Sequence, residues 1–144
     1  AVNLHPNLIN VIAARATLTV DLRNTDEARL REAEARLAAF LETLAREEGV
    51  EIGTRRLARF EPVKFDEAVV RVIERHAGAL GLSCRRMTSG AGHDAQMLAR
   101  MCPTAMIFVP SIRGVSHNPA EDTAPQDLAA GADVLLRTLL ELAS

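Results

Sequence analysis

The 144-residue sequence predicts an α/β fold, and three observations carry that reading. Residues 16–23 alternate apolar and polar side chains with the period of a half-buried strand. Longer segments before and after residue 62 repeat apolar residues at helical spacing. Residues 104–109 (TAMIFV) form an unbroken apolar run that fits a strand buried on both faces.

Taken in order, Leu18, Val20 and Leu22 share one strand face, and Thr17, Thr19, Asp21 and Arg23 the other. Asn24 stands three residues before Glu27, a capping pair that opens a helix. Leu30, Ala33, Leu37, Leu41 and Leu44 make the apolar stripe of that helix. Glu27 with Arg31, Glu32 with Arg36 and Glu42 with Arg46 have i,i+4 spacing on its wet side, and Gly49 suits the left-handed residue that closes it. A second strand is expected over 50–60, and Glu61-Pro62 marks a boundary, because proline stops a ladder. Residues 1–62 therefore read as strand–helix–strand, half of a split βαβ sandwich with one sheet face needing cover.

Residues 63–144 carry a different pattern. Asp66 caps a helix with Val69, Ile73, Ala77 and Leu80 on its apolar face, ended by Gly81. A short strand is expected over 83–87. The glycine-rich turn SGAGHDA (89–95) then opens a short helix that reaches Met101 before Pro103. After the apolar run comes a long loop, PSIRGVSHNPAED. Thr123 with Gln126 forms a second capping pair, Pro125 suits the first turn, and the last helix shows Leu128, Leu135, Leu139 and Leu142 on one side. Both halves look incomplete, as though cut from something larger.

Composition limits what the chain does. Apolar residues are 48% and charged residues 25%, the balance of a soluble globular domain. Aromatics are 3% and the net charge is -2, which argues against nucleic-acid binding and an anionic membrane surface. No apolar run reaches the length of a membrane span, and no secretory signal is visible, so a cytoplasmic location is expected. Cys84 and Cys102 make neither a disulfide framework nor a zinc knuckle and read as buried free thiols.

Two segments are candidates for chemistry. In Gly90-Ala91-Gly92-His93-Asp94, glycines before a helix let backbone N–H groups face an anion; the plain alternative is a tight turn without a ligand. In Ser116-His117-Asn118-Pro119, with Glu121 and Asp122, a histidine lies just past the C-terminal end of the apolar run, where open α/β sheets place ligands. A zinc site needs three or four protein ligands, and no HExxH, HxH or CxxC supplies the others, so a solvated loop histidine is the alternative. His76 reads as a core-packing residue and His5 as exposed. Arg23 is either an ordinary surface arginine or a carboxylate clamp.

These segments together resemble the zinc-dependent amidohydrolases that include N-carbamoyl-L-amino-acid hydrolases, allantoate amidohydrolases and β-ureidopropionases. HPNLINVIAARATLTVDLRN is similar to the lid-domain strand of that family. MTSGAGHDAQMLA and IRGVSHNPAEDTAPQDLAAGADVLLRTLLELA are similar to its last two motifs, in the same order and nearly end to end. The resemblance implies a partial ferredoxin-like lid over 1–62, carrying a dimer contact, followed by the C-terminal α/β segment of a metallohydrolase catalytic domain over 63–144. It implies that His117 is the last metal ligand and that Asn10 and Arg23 hold the substrate carboxylate in the active site of the other subunit of a homodimer. Gly90 or Gly92 would contact substrate through its backbone. His93 lies in the same substrate-binding turn, and Glu121 would orient the His117 loop.

The implied cofactor is a pair of divalent ions, foremost zinc, with manganese, cobalt or nickel as alternatives. The bridging ligand and the general-base Glu belong to the family's N-terminal half. The chain therefore reads as the C-terminal portion of a longer enzyme and is expected to be inactive alone. Ala13 and Ala14 stand where relatives commonly carry Pro-Gly. The rival reading is a stand-alone dimerisation or small-molecule-binding module without catalysis.

Overall fold

The computed structural model describes residues 1–144 and divides into two compact units, Ala1–Pro62 and Val63–Ser144. In the first unit, β1 (Val2–His5) and β2 (Arg15–Leu18) pair antiparallel, with Val2 opposite Leu18 and His5 opposite Arg15. The expected strand over 16–23 is thus paired only to Leu18, with one further bond from the Thr19 N–H to the Ala1 carbonyl at 3.1 Å. Beyond it no neighbouring strand offers partners, and unpaired backbone does not form a ladder. The pairing with β1 had no signal in the alternation read over 16–23.

Helix α1 (Glu27–Glu48) follows. Its cap is Asp26, two residues later than expected, and the Asp26 carboxylate accepts from the Arg29 N–H at 3.1 Å. Asn24 instead makes a local turn, its side-chain oxygen accepting from the Asp26 N–H at 2.9 Å. Gly49 ends the helix at φ 64°, as its position suggested. Leu30 is buried and the rest of the stripe is half-buried. Glu27 pairs with Arg31 at 2.6 Å, whereas Arg46 turns to the Thr43 hydroxyl. Residues 50–60 form no strand. They are tied to α1 through side chains: Arg59, 19% exposed, donates to Glu27 at 2.7 Å and Glu34 at 3.0 Å.

The second unit is built on α2 (Glu67–Ala79) and α4 (Pro125–Leu142), with the single-turn α3 (Ala95–Leu98) and a 3-10 turn (Ile112–Gly114) between them. Asp66 caps α2 by accepting from Ala68 and Val69 N–H groups at 2.9 and 3.0 Å. Pro125 occupies the first turn of α4, but the Thr123–Gln126 cap does not form, and Ala124 sits at the cap position. Residues 83–87 and 104–109 form no strand. Arg86 fastens the first to α2 through Glu67 and Glu74, each at 2.7 Å.

The leucines that share one side of α4 are not its inward face. Leu128, Leu135, Leu139 and Leu142 are exposed, between 49 and 56%. The inward face is made of small residues: Ala130 and Gly131 are half-buried, and Val134 and Thr138 are buried. Thr138 satisfies its hydroxyl by donating to the Val134 carbonyl at 2.8 Å. A narrow seam lets α4 approach α2 and the apolar run closely, and leucine would hold them apart. Cys84 and Cys102 are exposed rather than buried. No helix is long and apolar enough to cross a membrane.

Gly131 shows how close that approach is: a Cβ there would meet Val109 Cγ1 at 2.5 Å. Gly131→Ala is therefore expected to destabilise by about 1–3 kcal/mol, the range for overpacking, where the same change in an open helix interior would stabilise. Thermal melts of the single variants and of Gly131→Ala with Val109→Ala test this. The pair should be non-additive, because Val109→Ala makes the room that the added methyl group lacks.

Glu141 ties α4 to α2. Arg75 donates to its two oxygens at 2.5 and 2.9 Å, and His76 Nε2 lies 2.9 Å away. Mainly through the Arg75 hydrogen bonds, the Glu141 carboxyl is held below its ordinary value of 4.5. A lowered folded value stabilises the fold above the unfolded value, and the effect is lost as pH falls through the folded one. Glu141→Gln should lower the melting temperature at neutral pH, and the gap to the unaltered chain should close as pH drops below 4.5. A gap that persists well below that value would contradict the pairing.

Candidate functional site

The sequence-predicted residues lie on exposed loops of the two units. In the first unit, Asn10 sits in the connection between β1 and β2, and Arg23 in the extended stretch after β2. Arg23 grips Asp21 in a two-pronged contact, Nε to Oδ1 at 3.0 Å and a terminal nitrogen to Oδ2 at 2.7 Å, with both side chains 61% exposed. That hydrogen-bonded arginine holds the Asp21 carboxyl below its usual range. The fork that suits a carboxylate ligand therefore already holds a carboxylate of its own. Residues two apart on a strand face one side, so this pair was available from the alternation alone.

In the second unit the glycine turn leads into α3. The Ser89 hydroxyl accepts from the Ala91 N–H at 3.2 Å. His93 Nδ1 accepts from the Ala95 N–H at 3.0 Å, which puts the proton of the neutral ring on Nε2. Gly90 and Gly92 are not in the left-handed region, and a Cβ at either would meet nothing within 4 Å. Neither turn geometry nor packing within this unit requires glycine at those two positions.

The His117 loop is the more constrained segment. It begins at Ser111, whose hydroxyl donates to the Val115 carbonyl, and it is closed at its base by the Ile112 N–H donating to the Asp122 carbonyl at 2.8 Å. His117 has φ 55°. A residue with a Cβ in that region costs about 1–2 kcal/mol. Its N–H donates to Glu121 Oε2 at 2.8 Å. The Glu121 N–H in turn donates to the Asn118 carbonyl at 2.9 Å, and Asn118 Oδ1 accepts from Ala120. The ring is exposed and makes no hydrogen bond within the chain, so both nitrogens face outward contacts.

No three His, Cys, Asp or Glu side chains converge to hold a metal ion. His117 fits one ligand position of a zinc-type centre, since a neutral imidazole nitrogen is a preferred donor. The 144 residues do not complete such a centre. Two clefts exist elsewhere, about 190 Å³ beside Lys64, Asp66 and Cys102 and about 450 Å³ beside Leu41, Ala45 and Ile52, and no predicted site residue lines either.

This arrangement of helices, glycine turn and histidine loop defines a class. It is similar to part of the fold of hydantoinase/carbamoylase family amidases: the crystal structure of one from Burkholderia vietnamiensis matches with a TM-score of 0.90 at 40% identity, covering 98% of this chain and 34% of that one. The chain belongs to Peptidase family M20/M25/M40, which it matches over residues 5–141. It is 41% identical to an N-carbamoyl-L-amino-acid amidohydrolase from Rhizobium meliloti, over 96% of this chain and 33% of the relative. It is also 41% identical to an allantoate amidohydrolase from Escherichia coli (strain K12), over 96% of this chain and 34% of the relative. The chain thus spans about a third of the length of these relatives.

The left-handed backbone at His117 gives a direct check. Glycine relieves the conformation and alanine does not, so His117→Gly should be more stable than His117→Ala by about 1 kcal/mol. Equal stability would mean that the loop relaxes once the imidazole is gone.

Proposed function

We propose that this chain forms part of a metal-dependent amidohydrolase that cleaves a C–N bond of an N-carbamoyl amino acid or an allantoate-like substrate. The observation that carries the reading is the His117 loop: an imidazole presented outward, on a strained backbone, in a chain of this family. Strained residues persist where the surroundings over-determine them, and they cluster at functional sites. The two relatives' names support the substrate class.

Within that reading each residue has a task. His117 is one ligand of a divalent metal pair, most simply zinc, whose other ligands and general base come from outside these residues. Such a metal, when bound, would supply Lewis acidity toward water and the scissile carbonyl. Arg23 turns its fork from Asp21 to the substrate carboxylate, with Asn10 as the second partner, and so fixes the orientation of the substrate. The backbone at Gly90 or Gly92, which carries no side chain to hold a ligand off, contacts the substrate, and His93 offers its Nε2 proton as a hydrogen-bond donor. Residues 1–62 act as half of a ferredoxin-like lid that carries the homodimer contact and brings Asn10 and Arg23 to the partner subunit's substrate. Residues 63–144 belong to the catalytic domain.

Two variants of the complete enzyme test this. His117→Ala should lose metal and activity together, with metal content read by elemental analysis. Arg23→Ala should raise KM for a carboxylate-bearing substrate by about tenfold or more, the loss of one charge-assisted contact, with a smaller effect on kcat. Unchanged metal content in the first variant, or unchanged KM in the second, would remove that residue from the site.

A further inference from the structure

We propose that Glu121 is the positioning residue of the metal-binding imidazole and that it acts on the main chain of His117. The inference rests on the reading of His117 as a ligand. Metal-binding histidines are commonly oriented by a partner on the second ring nitrogen. In this chain the nearby carboxylate goes elsewhere: Glu121 Oε2 accepts from the backbone N–H of His117 at 2.8 Å. The neighbouring Asp122 carboxylate is occupied by the Thr123 N–H at 2.8 Å.

The Glu121 contact is built into a closed ring. Its own N–H donates to the Asn118 carbonyl at 2.9 Å, and the Asn118 side chain accepts from the Ala120 N–H at 2.9 Å. Residues 117–121 therefore hold one another while the backbone of His117 stays at φ 55°. The direction of Cα–Cβ follows from the backbone torsions. Holding φ positive aims the imidazole, and release to the ordinary negative region swings it away. Glu121 thus orients the ring without touching it and leaves both ring nitrogens open, one for the metal and one for a partner outside this chain.

The test uses the complete enzyme, stripped of metal and titrated with Zn²⁺, beside hydrogen exchange of the His117 amide in the metal-free protein. Glu121→Ala removes the acceptor. It should speed exchange at His117 and weaken zinc binding by about tenfold or more, as loss of a ligand-orienting partner does. Glu121→Gln keeps an oxygen acceptor of the same reach and should match the unaltered enzyme in both measurements, which a purely electrostatic role of the carboxylate would not allow. The proposal is overturned if Glu121→Ala binds Zn²⁺ normally, or if Glu121→Gln is as impaired as Glu121→Ala. His117→Ala separates the two levels. Normal zinc binding in that variant removes the ligand reading and the proposal with it, while a surviving exchange contrast between the Glu121 variants would show that the backbone clamp itself is real.

Discussion

The second unit depends on the close approach of α4 to residues 104–109. Gly131 lies where any side chain would strike Val109, so the helix rests directly on the apolar run. The long loop leaves from the end of that run and returns to the start of α4. Its base is pinned by the hydrogen bond from Ile112 to Asp122. The placement of His117 therefore follows from helix packing at one end and loop closure at the other. Glu141 adds an electrostatic tie between α4 and α2 near the other end of the same helix.

Charge is arranged in both units so that carboxylates restrain the residues with chemical potential. Asp21 occupies the fork of Arg23 and Glu121 occupies the N–H of His117. The two arrangements differ in kind. The Arg23 pair is exposed and bathed in solvent, where such contacts are weak and exchange readily. Under the proposed function, a substrate carboxylate would take the place of Asp21 in this pair. The Glu121 contact is exposed as well, but it belongs to a set of three hydrogen bonds that hold residues 117–121 together. Under the proposed function, the first would suit a group that changes partners and the second a group that stays aimed.

Features written in neighbouring residues were legible in the sequence. Gly49 closing α1, Asp66 capping α2 and Pro125 opening α4 each depend on a few adjacent positions, and each stands where the pattern put it. Features that need a distant partner were not. Residues 50–60, 83–87 and 104–109 have strand composition, but a ladder requires a partner strand, and the only paired strands are β1 and β2. The leucines of α4 share one side, as their spacing shows, and that side is exposed. Periodicity marks an apolar face but not which face this chain covers, and the small-residue seam around Gly131 and Val134 won because it permits closer packing. Asn24 lost the cap to Asp26 since both side chains suit the role and spacing alone does not rank them. At the site, SHNPAE drew attention to His117 and to the carboxylate at Glu121. The left-handed backbone, and the fact that Glu121 bonds to the main chain, have no sequence signature.

The measurement that bears most directly on this account is release of free amino acid from an N-carbamoyl-L-amino acid by the complete purified enzyme, before and after chelation. The expected result is turnover that the chelator abolishes and added divalent metal restores. Turnover indifferent to the chelator, or none on any ureido or linear amide substrate in the metal-loaded enzyme, would contradict it.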